Sequence, residues 1–396
     1  MERERYMKIN YITGLKGICC VIVSLGHMIA LLLPELYFGT NVQSHTELTR
    51  HIYELPFGIL YNSSSALMCF LLLSGFVIPL KRFRNEEKIN VLDKWFNKYL
   101  RLMPMALIGI FMGWIIMKAD WVYSYKIVDL SYSNNYAVNF NHFQPAGVWE
   151  CKGPIYEALI RVFILSSPTN SPLGTLKYIW QFSFVLLIFT KWLTKWKYRD
   201  IIYVISVLFL MVTGKYRYEN YYYLAMLLGM WICDGMFHPD RKRHLNSLPR
   251  KDAIVGLVIG ICLLTIPYAT PVNGIYKWVA KVPISHTLYW ILGWTLTIIG
   301  ISNIKIFQKI LESSLILSLG KISYGYYAVH WPIVISFSCF LTWILYTKMS
   351  LQYVVAASVA ILMSIPVIML FAWIAERYVY NYLYKGECFL IKKLAE

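Results

Sequence analysis

Ten stretches of this chain read as membrane-crossing helices, for which about 20 mostly apolar residues are needed. They run over 12–33, 57–80, 98–118, 176–194, 199–213, 219–236, 252–268, 283–300, 322–345 and 352–378, with the fourth and fifth the weakest. Inside lipid the backbone must satisfy its own hydrogen bonds, which confines such runs to helices. The expected fold is all-α: a polytopic membrane helix bundle of about ten transmembrane helices.

Composition agrees. Hydrophobic residues make up 58% and charged residues only 15%, against about a quarter charged in soluble proteins. That excludes an ordinary soluble enzyme. The net charge of +17 raises the question of nucleic acid, but lysines and arginines gathered in cytoplasmic loops explain it better. With the N-terminus inside, the segments on that side carry 25 Lys and Arg, and those outside carry 9. The bias predicts an even number of spans and both termini cytoplasmic. Residues 11–33 are too long an apolar run for a cleaved signal peptide, so the first helix is expected to be retained.

The reading is one membrane-embedded domain over 1–396, with no appended soluble domain and one long outer loop at 119–175. That loop carries Trp121, Tyr123, Tyr125, Tyr132, Tyr136, Phe140, Phe143, Trp149 and Tyr156. Loops of this length are functional or disordered, and aromatic content argues against disorder. The stretch EALIRVFIL (157–165) is expected to form a short interfacial helix. The eight cysteines lie mostly in apolar runs and form no CxxC pair. Neither a disulfide framework nor a metal site is expected, and Cys151 has no partner on the outer side.

The first run contains LKGICCVIVSLGH (15–27), with a lysine near one end and a histidine near the other. Eleven residues make three helical turns plus about 20°, so Lys16 and His27 share a face at depths roughly 16 Å apart. Ionisable groups inside a membrane usually face a protein interior or a wet cavity. Lys16 is also close enough to the helix start to snorkel to headgroups, and His27 also fits a hydrogen-bonded interior histidine. Spacing alone leaves these alternatives open.

Five segments in order resemble the acyltransferase 3 family of integral-membrane acyltransferases. Lys16, ten residues and His27 resemble its Arg/Lys-x10-His motif. FLLLSGFVI (70–78), KYLRLMP (98–104), GKISYGYYAVHWP (320–332) and IAERYVYNYLYK (374–385) resemble four further family segments. The resemblance covers nearly the whole chain. It implies transfer of an acyl group, most often acetyl, from acyl-CoA (acetyl-CoA as donor substrate) to a hydroxyl of a surface polysaccharide or glycolipid. It also implies a bacterial inner or plasma membrane location and surface-glycan biosynthesis proteins as partners.

Under that resemblance His27 is the expected general base, since imidazole titrates near working pH. Lys16 and His330 are the further catalytic candidates. Lys98 and Arg101 are expected to meet coenzyme A phosphates, and Ser74 and Gly75 to allow close approach of the donor. Plain loop anchoring accounts for Lys98 and Arg101 as well, helix packing for Ser74 and Gly75, and a satisfied core histidine for His330. Pro332 should loosen the helix around His330. Glu376, with Arg377, is expected in an ion pair or headgroup contact.

One segment departs from the pattern. NSPLGTL (170–176) resembles the family's N-P-P-L-W-T-M, but Gly174 stands at the Trp position and Ile179 at a Glu position. Two other functional classes fit the same composition: a transporter or flippase of a glycan precursor, and a sensor or scaffold built on the acyltransferase fold.

Overall fold

The computed structural model describes residues 9–39, 42–84, 90–133, 153–193, 195–241, 244–269, 275–282, 284–380 and 382. Among them every regular element is helical. Tyr136, Phe140, Phe143, Trp149 and Cys151 of the long loop lie outside the described residues, as do residues 1–8 and those after 382.

Each of the ten apolar runs forms a helix: α1 Asn10–Leu32, α2 Ser63–Val77, α3 Val91–Lys118, α4 Leu176–Leu193, α5 Arg199–Gly214, α6 Glu219–Phe237, α7 Arg250–Leu264, α8 His286–Asn303, α9 Ser323–Thr347 and α10 Tyr353–Tyr380. By length and apolarity five of them reach across a membrane: α1, α3, α4 (extended back to Ser171), α9 and α10. A sixth follows if α8 and Lys305–Leu311, bent by 102°, count as one span. The others fall short for simple reasons. Helices α2 and α7 have 15 residues each, below the roughly 20 that a straight crossing takes.

Helices α2 and α6 touch backbone to backbone. A Cβ on Gly75 would lie 1.8 Å from the Met226 carbonyl oxygen, and one on Gly229 would lie 1.9 Å from that of Leu72. Glycine is required at both positions, as in small-residue packing of membrane helices. A cluster of aromatic and aliphatic side chains from α2, α6, α7 and α8 forms the largest core. A second core joins α3, α9 and α10 to the segment 158–176.

Helix α9 runs straight through Pro332 and then widens to π geometry over Val334–Ser338. Proline removes one backbone donor, and π-bulges often accompany such interruptions near functional positions. The Ser336 hydroxyl donates to the Pro332 carbonyl at 2.6 Å. The expected loosening next to His330 is thus present as a local change of helix type.

The segment 157–165 is helical, as its pattern predicts, over Pro154–Ile164 with a π stretch at Glu157–Arg161. At the Lys195 end of α5, Arg199 and Arg241 clasp Asp234 and Asp200. Asp234 is fully buried and takes bonds of 3.0 Å from Arg199 and 2.7 Å from Arg241. Arg241 also reaches Asp200 at 2.6 Å. This network ties α5 to α6.

Candidate active site

The polar stripe of α1 packs against α9. Cys20 donates its thiol to the Ser323 carbonyl at 3.0 Å, and the Ser24 and Tyr326 hydroxyls lie 2.8 Å apart. Positions 16, 20, 24 and 27 follow one another at helical spacing, so contacts at 20 and 24 aim Lys16 and His27 at the same seam.

At one end of the seam the imidazole rings of His27 and His330 are stacked, with centroids 5.4 Å apart and planes 24° apart. Trp331 meets the His27 ring edge-on at 5.4 Å. His330 is wholly buried, whereas His27 keeps partial exposure. The Nδ1 of His330 lies 2.8 Å from the Tyr327 carbonyl oxygen. A carbonyl only accepts, so Nδ1 carries the proton and Nε2 the lone pair. That Nε2 is buried and has no hydrogen-bond partner among the described residues. A buried polar atom left in this way is costly unless it serves a purpose.

Tyr327 joins the histidines to the rest of the site. Its ring lies 5.6 Å from His330 and 5.9 Å from Phe70, the first residue of the FLLLSGFVI segment. Its hydroxyl donates to the Pro172 carbonyl at 2.7 Å, and Thr175 Oγ1 lies 2.9 Å away. The segment bearing Pro172 and Thr175 dips between α3 and α9. Asn170 donates to the Ala328 carbonyl at 2.8 Å and the Gly109 carbonyl at 3.3 Å. Buried Glu157 holds this dip, accepting from Ser167 Oγ at 2.6 Å, the Thr169 amide at 3.0 Å and the Thr169 hydroxyl at 2.5 Å.

At the other end of the seam Lys16, Lys98 and Arg101 lie within electrostatic reach of one another. Lys16 and Lys98 are partly exposed and Arg101 is exposed. Three cations facing one space repel unless an anion enters it. Glu376 faces the same group, within reach of Arg101, and accepts from the Gly325 amide. The Arg377 guanidinium lies over the Trp373 ring at 5.3 Å.

The structure thus brings Lys16, Lys98 and Arg101 together at one end and His27 and His330 at the other. Gly75 does not join either group: it sits against Met226 on α6, where helix packing explains it. Its neighbour Ser74 is partly exposed. Ile179 packs on the main apolar core, with no acid in its place. Gly174 has its nearest neighbours at 3.7 Å, so the position has room for a side chain.

Sequence reasoning missed Glu157, Asn170, Thr175 and Tyr327. Asn170 and Thr175 stand at matching positions of the NSPLGTL segment, and Tyr327 lies one helical turn before His330; Glu157 carried no such signal. A groove of about 740 Å³ between α3, α9 and α10 is lined by Leu107, Phe111, Ile333, Val367 and other apolar side chains. Its lining carries no charged group, with Ser336 and Trp121 the polar members, and it lies outside the seam.

The family model described as "Acyltransferase domain" matches residues 9–373. No curated protein and no solved structure matches the chain. Since the match runs from the start of α1 into α10 and takes in both ends of the seam, the chain belongs to the acyltransferase 3 family.

Proposed function

We propose that this protein is a membrane O-acyltransferase that moves an acyl group, acetyl foremost, from cytoplasmic acyl-CoA to a hydroxyl of a surface polysaccharide or lipid-linked glycan. The observation that carries the reading is the seam itself: a cation cluster at one end, a stacked histidine pair at the other, and one helix face joining them. The loop charges orient the Lys16 end inward and the His27 end outward. The ten helices then form ten spans, the shorter ones served by local bilayer thinning.

On this reading Lys16, Lys98 and Arg101 hold the phosphates of coenzyme A. The extended pantetheine arm of the donor carries the thioester along the α1 face. His27, the partly exposed member of the pair, takes the proton of the acceptor hydroxyl. The oxygen attacks the thioester carbonyl, the tetrahedral intermediate collapses, and the coenzyme A thiolate leaves and recovers a proton. On this reading His330, whose Nε2 carries the lone pair, is the group that relieves His27 of that proton through a bridging water. The Nδ1–H to Tyr327 contact holds the tautomer that makes this work.

Ser74 and the aromatic residues of the outer loop remain candidates for donor and acceptor contact. The test compares acylation of surface glycans, by mass spectrometry, in cells with and without this chain. The reading expects an acyl mass increment that appears only with the protein. A glycan profile unchanged in acylation but altered in export favours a transporter or flippase.

A further inference from the structure

Helices α4 and α6 begin side by side, at the end of the bundle nearer the histidines. Tyr178 on α4 meets Tyr222 edge-on at 4.9 Å and Tyr223 at 6.0 Å. Phe182 stacks beneath Tyr223 at 4.7 Å. The Glu219 carboxylate lies within electrostatic reach of all three phenols.

What sets this group apart is its hydroxyls. Tyr218, next to it, is 3.0 Å from Thr287 Oγ1, and Tyr327 donates to Pro172. The hydroxyls of Tyr178, Tyr222 and Tyr223 make no hydrogen bond to protein among the described residues, and none of them is sealed from solvent. All three rings are only partly buried. Tyr222 also lies within electrostatic reach of Tyr327, whose ring contacts His330. Aromatic side chains therefore extend from the start of α6 toward the histidine pair, with Tyr222 near Tyr327 and Tyr327 in ring contact with His330.

Tyrosines at a membrane surface often serve only as interfacial anchors. Anchors spread their rings along the lipid. Here the rings pack on one another with a carboxylate in electrostatic reach, which an anchoring role does not call for. A few polar groups converging on an aromatic wall is the form of a small-molecule site.

We propose that Tyr178, Tyr222, Tyr223 and Glu219 form a subsite for the sugar ring of the acceptor, where the aromatic side chains leading toward the histidine pair begin. The apolar C–H face of a pyranose lies on Tyr222 and the open face of Tyr223, the Tyr178 ring being met by the Lys177 ammonium at 4.6 Å. Its hydroxyls pair with the phenols and with Glu219, which leaves one hydroxyl directed along Tyr327 toward the histidines. This inference rests on the acyltransferase reading above and adds where the acceptor is held.

The test uses the full-length protein in lipid nanodiscs with acetyl-CoA and two soluble probes, methyl β-D-glucopyranoside and propane-1,2-diol. The sugar is expected to be the better acceptor. In the double variant Tyr222→Phe/Tyr223→Phe, which keeps both rings and any anchoring, the KM for the sugar should rise about tenfold, as for loss of one or two hydrogen bonds. Glu219→Gln should act in the same direction. The KM for acetyl-CoA, its slow hydrolysis by water and the rate with propanediol should stay unchanged. A wild-type protein that acetylates propanediol as well as the sugar, or a double variant with an unchanged sugar KM, overturns the subsite. A wild-type protein that transfers acetyl neither to a probe nor to water instead overturns the acyltransferase reading, and the subsite with it.

Discussion

His27 and His330 stack at 5.4 Å across the α1–α9 seam, with the Nε2 lone pair of the buried His330 unclaimed by any described residue. Two imidazoles this close do not both hold an extra proton easily, because like charges at that distance repel. The pair therefore holds at most one extra proton at a time, which suits a base that must accept and then release one.

His330→Gln keeps a polar side chain of similar reach but removes the titrating nitrogen. The prediction is a kcat lowered about 10- to 100-fold, part of what a general base contributes, with the KM for acetyl-CoA unchanged. Kinetics in nanodiscs over a series of pH values check it. A fall in donor affinity with unaltered kcat assigns His330 to packing instead.

Charge removal at the other end should act differently. Lys98→Ala and Arg101→Ala are each expected to raise the KM for acetyl-CoA while leaving kcat nearly intact, since they bind donor phosphates in ground and transition state alike. Measured against dephospho-CoA thioesters the penalty should shrink, because one phosphate is missing from the partner. Equal penalties with both donors contradict the assignment.

Much of this arrangement was legible before any coordinates. The shared face of Lys16 and His27 follows from helical periodicity, and the ten helices follow from the length of the apolar runs. The stacking of His27 on His330 did not follow, because it joins residues 303 positions apart and no local pattern encodes it. The dip over 166–175 was also hidden. It depends on Glu157 taking three hydrogen bonds from an irregular stretch, where neither a period of 3.6 nor one of 2 exists to be read. At Gly75 two readings stayed open, donor approach and helix packing. A small residue beside a polar one suggested donor approach, and the space it opens is filled by the backbone of α6.

A clasp beyond the His27 end of α1 should make stability depend on pH. His45 Nδ1 lies 2.9 Å from Glu35 Oε1 and His45 Nε2 lies 2.9 Å from the Leu130 carbonyl, with the ring stacked on Tyr353 at 4.3 Å. Burial pushes the Glu35 carboxyl up, but the hydrogen bond and charge of His45 outweigh it and leave it below its usual range. Burial pushes His45 down, and the bonds to Glu35 and Leu130 outweigh that and leave it raised.

The Glu35 contribution is therefore present above its ordinary value of 4.5 and lost as pH falls through the lowered one. The His45 contribution is present below its ordinary value of 6.5 and lost as pH rises through the raised one. Both act together between those ordinary values. Thermal unfolding in nanodiscs should show His45→Gln narrowing the Tm difference between pH 5.5 and pH 8.5. An identical pH profile in the variant contradicts the clasp.

Asp234 sits fully buried between Arg199 and Arg241. Replacing it with alanine leaves two guanidinium groups facing each other without their shared counter-charge. The expected loss is about 3–5 kcal/mol, the usual cost of breaking a buried ion pair, seen as a lower Tm with kcat per folded molecule unchanged. Asp234→Ala with wild-type Tm contradicts a structural role for the network.

The most direct test of the central claim is transfer of labelled acetyl from acetyl-CoA to acceptor in isolated membranes, comparing the natural protein with His27→Ala at equal protein level. The account predicts label in a membrane or surface glycan with the natural protein, and at least about 100-fold less with His27→Ala, in the range of a lost general base. Full transfer by His27→Ala, or no labelled glycan with either protein, contradicts it.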